Sequence, residues 1–344
     1  MTHTAMGRVG ELRSVMEGPV IVPGDLGFDD ARRVWNAGID RRPSVIARCA
    51  SAADVVAAIG FAREHRLEVS VRGGAHNPAG TAVCDDGLMV DLSLLNAVTV
   101  DPAARRARAG GGALLADLDA ATLAHGLAVP AGLVSHTGVG GLTLGGGMGW
   151  LTRKFGLSID NLVSAGVVTA DGRVLRAAAD DNPDLFWAIR GGGGNFGVVT
   201  RLRYQLHDVS EFTGGILVLP ASADVLYRFL AEAEAAPDAL STIANVMGAP
   251  PMPFLPPEVH GRPIVLAMLA WTGDADAGER AFAPFRALAE PLADMVRPMP
   301  YTGMYQPADP DYHPVAAART GFAPDVDAAT VVDWIADAPG RVVQ

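Results

Sequence analysis

The chain has 344 residues, 49% of them hydrophobic, with a mean hydropathy of +0.23 and a formal net charge of −11. At roughly 150 residues per domain this length suggests two domains with sizeable cores. The acidic balance, the absence of a dense Lys/Arg run and the absence of a membrane-length apolar run exclude a nucleic-acid footprint and a membrane span. Two cysteines, Cys49 and Cys84, rule out a disulfide framework. Met1–Gly10 has no apolar core of signal-peptide length, so a cytoplasmic location is expected.

In chain order, residues 1–40 offer only Pro19–Pro23 as an extended entry. Ser51 reads as a helix N-cap with Asp54 three residues on, a variant of the capping box. That helix runs through Val55, Val56, Ile59 and Ala62 to about His65–Arg66. Leu67–Val71 reads as a strand that delivers the chain into the loop Val71-Arg-Gly-Gly-Ala-His-Asn-Pro-Ala-Gly80. Leu88–Leu92 predicts a strand, and Leu114–His125 a helix stopped by Gly126. A second glycine run follows at Gly138–Gly149.

Gly166–Arg176 predicts a hairpin with Asp171-Gly172 as a two-residue turn. Asn182-Pro183 caps and starts a helix carrying Leu185, Phe186, Trp187 and Ile189, which ends at a third run, Gly191–Gly194. Val198–Leu206 alternates, with Val198, Thr200, Leu202, Tyr204 and Leu206 on one face and Arg201, Arg203 and Gln205 on the other. Beyond His207–Phe212 the glycine clusters stop and prolines become frequent. A helix around Asp224–Ala235 and a strand at Ile264–Trp271 suggest a second α+β unit, so the boundary is placed at 208/209.

Glycine loops present bare backbone N–H groups that can approach a diphosphate. His76 adds a nucleophile beside that anion site. Together they point to a dinucleotide cofactor held by backbone amides with a covalent tether within reach, and so to a flavoenzyme. A Rossmann fingerprint needs Gly-x-Gly-x-x-Gly between a first strand and a helix, and a P-loop needs Gly-Lys-Ser/Thr. Neither fits glycines spread over three loops.

Val71–Gly80, Gly138–Trp150, Arg153–Asn161 and Arg190–Thr200 resemble the FAD domain of berberine bridge enzyme-like oxidoreductases, members of the vanillyl-alcohol oxidase superfamily with a PCMH-type FAD domain. The resemblance covers roughly residues 40–210 and continues more diffusely through Tyr301–Thr320. It implies an α+β fold in which two subdomains, within residues 1–208, clasp FAD. Residues 209–344 would form an incomplete substrate domain. The chain stops at Arg341–Gln344 within what reads as a continuing strand, whereas family members continue, so a truncated product is expected.

The resemblance also assigns residues. His76 matches the histidine that bonds to the flavin 8α-methyl carbon. Arg72, Gly73, Gly74, Ala75, Asn77 and Gly80 would line the phosphates, with packing at the strand end as the plainer alternative for Arg72. Ala75 stands where the family more often has glycine, and its Cβ restricts positive φ, so a displaced loop is expected. The position of the family's second, cysteinyl link is Val134 here, leaving at most one covalent bond. Thr137, Gly140, Gly141, Gly145 and Gly147 would contact the diphosphate and ribityl chain. Asp160, Asn161 and the backbone at Val199 match positions closing on the flavin and adenine ends, with a turn-forming Asx as the alternative for the Asp-Asn pair. His136 faces the flavin edge or is structural, and Trp150, Phe155, Phe186 and Trp187 are read as core.

No catalytic acid or base is selected. The family's usually come from the later segment, and no spacing argument chooses among Tyr301, Tyr305 and Tyr312. The implied activity is an FAD-dependent oxidase or dehydrogenase acting on an alcohol, sugar or amine, with a small-molecule substrate and dioxygen as partners. The alternatives are a non-catalytic flavin-binding remnant and, disfavoured by the histidine loop, an NADPH-using reductase of cell-wall precursor synthesis.

Overall fold

In the first part of the chain two sheets form, one around the unbroken buried run Leu88–Asp91 and the other around the alternating run Val198–Gln205. In the computed structural model, residues 3–305, 312–315, 321, 326–338 and 340–344 are described. The first sheet has the order Val20–Ile21, Val45–Arg48, Leu88–Asp91, Val69–Arg72, the last three parallel. Leu88–Asp91 is buried on both faces, which is why its residues do not alternate. Helix Ala52–His65 packs on this sheet through Val55, Ala58, Ile59 and Ala62.

Ser51 caps that helix, accepting the Asp54 N–H at 3.2 Å. Asp54 does not close a capping box. Its buried carboxylate accepts N–H bonds from Glu17, Gly18 and Ala50 at 2.8, 3.0 and 2.8 Å, tying the N-terminal stretch to the helix start. A helix over His3–Val15, unsignalled in the sequence, precedes it and buries Val9 and Leu12.

The second sheet is antiparallel, in the order Val98–Asp101, Arg106–Gly110, Val198–Gln205, Leu162–Val168, Val174–Ala178. Val198–Gln205 follows its alternation, with Leu202 and Tyr204 buried and Arg201 and Arg203 exposed. The inner face packs against Leu115 and Leu118 of helix Leu115–Leu123 and Phe186 and Ile189 of helix Pro183–Ile189. The buried Tyr204 hydroxyl lies 2.7 Å from that of Thr143, and burial pushes the phenol upward, keeping it neutral. Tyr204→Phe is expected to cost about 1–2 kcal/mol, because Thr143 loses its buried partner. A lower urea midpoint at unchanged slope checks this.

Several local expectations are corrected. The ladder of strands Leu162–Val168 and Val174–Ala178 ends at Val168 and Val174, and Thr169 N–H still bonds Arg173 O at 2.9 Å beyond it. Gly172, at φ +86°, donates to Thr169 O, giving a longer loop than the two-residue turn. Asn182 sits at φ +52° with its side chain on Arg176 O and Asp181, so it precedes its helix without capping it. Trp187 is 78% exposed and is not core, whereas Trp150 and Phe186 are buried. The second glycine run contains a short helix, Val139–Leu144.

The chain divides into two compact units. The first holds residues up to Gly149, Leu157–Asp208 and the described residues 312–315, and the second holds Trp150–Gly156, Val209–Tyr305 and the described residues from Gly321 onward. Neither unit is continuous in sequence. The second is a sheet in the order Ala293–Asp294, Phe212–Pro220, Pro263–Thr272, Leu240–Gly248, Val342–Val343, with Arg297–Pro298 also paired to Phe212–Pro220. Helices Ala223–Ala235 and Ala275–Arg286 place Val225, Phe229, Phe282 and Phe285 in its core. Among the described residues no helix is long and apolar enough to cross a membrane.

Candidate flavin site

Three glycine stretches meet in the first unit. An ideal Cβ on Gly74 would lie 2.2 Å from Gly138 N and 2.6 Å from its Cα, so the two loops touch backbone to backbone. Gly110–Gly112 forms the third side. Gly111 donates to Thr200 O at 2.9 Å, Val199 O lies 2.2 Å from where its Cβ would be, and its own carbonyl faces Gly140 and Gly73. This Gly-Gly-Gly run at the end of strand Arg106–Gly110 is visible in the sequence but was not among the expected site residues.

The loop after strand Val69–Arg72 is built for an anion. Among the described residues, the N–H groups of Gly73, Gly74, Ala75 and His76 make no intramolecular hydrogen bond. A run of free amides through a left-handed residue forms a concave donor set. That residue is Ala75, at φ +53°. The loop therefore takes the conformation glycine would favour, in spite of the Cβ.

The left-handed backbone costs Ala75 about 1–2 kcal/mol. Its methyl is buried among Phe28, Val34, Ile46 and Met89, which returns about 0.8 kcal/mol. Alanine also spares the unfolded-state entropy of glycine, about 0.5–1 kcal/mol. Ala75→Gly is therefore expected to leave stability within about 1 kcal/mol of the parent, read from urea midpoints.

His76 packs against two rings. Trp35 stacks on it with centroids 5.0 Å apart and planes 22° apart, and His136 lies tilted at 4.8 Å. His76 Nε2 is buried and has no hydrogen-bond partner. Burial, and then the neighbouring His136, push its pKa down to about 4, so the imidazole is neutral at pH 7. Arg72 donates through Nη1 to Ala31 O at 2.6 Å and Arg33 O at 2.7 Å, and Trp35 N–H bonds Ala75 O at 3.1 Å. Arg72 thus fastens the segment that carries Trp35, and burial lowers its pKa.

These elements border a cleft of about 600 Å³ lined by Arg72, Gly73, Gly74 and Ala75 together with Arg33, Trp35, Ser93, Asn96, Gly112, Asp117 and His136. Tyr312 is on its wall, while Tyr301 is buried in the second unit against Phe212 and Tyr305. Trp35, Ser93, Asn96 and Asp117 carried no motif, and only the folded chain collects them.

The remaining expected residues are placed as follows. Thr137 precedes Gly138 at the loop contact, and its carbonyl accepts the Leu115 N–H at 3.0 Å. Gly140 and Gly141 lie in the first turn of helix Val139–Leu144, whose amides have no partner within the helix. Gly140 is buried, whereas Gly141 is exposed to open space. Gly145 caps the far end of the helix through its N–H, and Gly147 accepts from Ser158 N and Oγ. Asn77 and Gly80 close a turn, with Gly80 N–H on Asn77 O.

Asp160 accepts the Leu157 N–H at 2.9 Å, and Asn161 bonds Leu157 O and His207 Nε2. Asp160 also faces the Arg190 guanidinium at 3.7 Å, and neither Asp160 nor Asn161 is in the cleft lining. Val134 is 38% exposed. Cys49 and Cys84 are buried and burial raises both thiols, so neither replaces a cysteinyl link.

The cradle suits FAD: Gly74 and Gly138 leave no room for a side chain, the Gly73–His76 amides are free, and a buried nitrogen without a hydrogen-bond partner in the same loop belongs to a neutral histidine. Fold and site define a flavin-dinucleotide-binding domain.

Residues 43–178 match the FAD binding domain family. The chain is 39% identical over 282 residues to (R)-6-hydroxynicotine oxidase of Paenarthrobacter nicotinovorans, covering 82% of this chain and 60% of that protein. The crystal structure of 6-hydroxy-D-nicotine oxidase from Arthrobacter nicotinovorans superposes with a TM-score of 0.77 at 37% identity, over 84% of this chain and 63% of that one. Berberine bridge enzyme-like 1 of Physcomitrella patens gives a TM-score of 0.75 at 26% identity, over 85% and 63%. Residues 43–178 carry an FAD-binding domain, the relatives of the chain are FAD-linked oxidoreductases and berberine bridge enzyme-like proteins, and the expected mixed α/β fold with a PCMH-type FAD domain is borne out. It spans 60% to 63% of the length of these relatives.

Proposed function

We propose that the chain is the FAD-binding and partial substrate portion of an FAD-dependent oxidase or dehydrogenase, with residues 1–208 holding the flavin and residues 209–344 contributing to substrate binding. When bound, FAD supplies a two-electron acceptor for a hydride from an alcohol, sugar or amine carbon, with dioxygen as the terminal acceptor. The amides of Gly73–His76 and of Gly140 and Gly141 hold the diphosphate. His76 would tether the isoalloxazine through a neutral ring nitrogen, with Trp35 stacked on that imidazole and His136 tilted beside it.

One observation carries this reading. The imidazole of His76 is neutral at pH 7 and its Nε2 is buried and unpartnered, in the loop whose Gly73, Gly74 and Ala75, with free amides, line the cleft. The oxidase with 39% identity acts on a hydroxynicotine, by its name, and this favours an amine among the three substrate classes.

The test is anaerobic titration of the flavin-loaded protein with a panel of cyclic amines, secondary alcohols and oligosaccharides. Bleaching of the visible flavin band by one class, and its return on admitting air, is the expected result. A protein that takes up FAD yet bleaches with none of them is a binding remnant, and one that takes up no FAD refutes the assignment of the cleft.

A further inference from the structure

The outer face of the antiparallel sheet carries arginines that the flavin site does not use. Arg203 stands directly opposite Arg108 on one neighbouring strand and Ser164 on the other. On the same strand, Arg201 is opposite Gly110 and Gly166, and Gly166 is opposite Arg176. The small residues Ser164 and Gly166 leave a depression of about 190 Å³, walled by Arg108, Arg176, Arg201 and Arg203. The Arg201 guanidinium overhangs its floor, with Nε 3.7 Å from where a Cβ on Gly166 would be.

Like charges directly opposite one another destabilise an antiparallel pair. Acidic side chains are plentiful in a chain of net charge −11, yet almost none is placed here. Among the described residues Arg108, Arg201 and Arg203 have no carboxylate partner, and only Arg176 is paired, to Asp180 at 3.0 Å and Asp181 at 3.5 Å. Guanidinium forks match the oxygens of phosphate groups two at a time. A sheet face holds them with little freedom to drift apart.

We propose that this depression binds a small phosphate-bearing anion of the size and charge of a diphosphate, with Arg201 and Arg203 as its main contacts and Arg108 and Arg176 flanking. The volume suits one such group and is too small for a polypeptide segment. None of the four arginines lines the cofactor cleft, so the site is separate from the flavin.

The test is isothermal titration of the flavin-loaded protein with sodium pyrophosphate at low salt, against sodium chloride at matched ionic strength. Saturable one-to-one binding is expected, weakened about tenfold in Arg201→Gln and in Arg203→Gln. Arg203→Lys, which keeps the charge but loses the fork, should fall between. The flavin spectrum of each variant reports that the first unit is intact, and removing a repelling charge should not unfold it.

Parallel titrations with a sugar phosphate distinguish the sources. Tighter pyrophosphate binding assigns a free anion, tighter sugar-phosphate binding assigns a phosphorylated metabolite, and either supports the site. No saturable heat beyond the chloride control overturns it, as does unchanged affinity in the double glutamine variant. Binding of a glutamate-rich peptide where pyrophosphate fails to bind would overturn it in favour of a polypeptide-docking face.

Discussion

Replacing Gly74 by alanine is expected to destabilise the first unit by about 3 kcal/mol, the upper end of the usual cost of overpacking. The added methyl would meet Gly138 N at 2.2 Å, its Cα at 2.6 Å and Thr137 C at 3.0 Å. All three are backbone atoms, so no side chain can rotate away and a loop must move. The entropy that alanine removes from the unfolded chain offsets only about 0.4–1 kcal/mol. Gly138→Ala meets Gly74 N at 2.2 Å from the other side, so the double variant should cost much less than the two single changes together. Because the same displacement opens the amide cradle, FAD retention should fall with stability.

Gly141→Ala is the contrasting case. Nothing lies within 4 Å of its added methyl, and a helical position gains up to about 1 kcal/mol from alanine. With Gly141 in contact with the cofactor, this variant matches or exceeds the parent urea midpoint while losing FAD affinity. Parent-like midpoints for Gly74→Ala would show that the two loops do not touch as described.

Replacing His76 by alanine is expected to abolish covalent flavin altogether. After acid precipitation the yellow colour should stay with the pellet in the parent protein and move to the supernatant in the variant. Colour in the parent supernatant would leave a flavoprotein without a tether.

The same residue sets an acid sensitivity whose sign follows from its surroundings. Burial holds the folded pKa at about 4, below the ordinary 6.5, so between these values the unfolded chain binds the proton more readily. The stability at stake is therefore fully present above pH 6.5 and is lost as pH falls through about 4. Integrated over that span, and discounted for the partial exposure of the ring, it amounts to roughly 2 kcal/mol. In the flavin-free proteins, urea midpoints at pH 7 and pH 4 should therefore lie closer together for His76→Ala than for the parent. Parallel falls in both would place the acid sensitivity elsewhere.

Much of the scaffold was legible because its signals are local. Ser51 caps a helix where its own hydroxyl can reach an amide three residues on. The Val198–Gln205 alternation survives because a strand shows one face to the core and one to water. The turn at Gly172 was found but its length was not, since Asp-Gly serves a bulged loop as readily as a tight one. Asn182-Pro183 signalled a helix start correctly, but Asn182 found better partners in Arg176 O and Asp181 than in the helix amides.

For the site, the sequence by itself determined that His76 sits in a glycine loop behind a strand, that a second glycine run follows, and that these belong to a flavin-binding family. Those are properties of residue type and order, and the backbone freedom of glycine is written into single positions. Only the tertiary structure decided that Gly74 meets Gly138 across a gap too narrow for a methyl group. It alone brought Gly110–Gly112 to the same junction, folded Trp35 and His136 against His76, and turned Asp160 and Asn161 to a turn of their own. The reason is that close approach, stacking and desolvation are relations between distant segments. Each depends on how two elements pack, and no single stretch of chain carries that information.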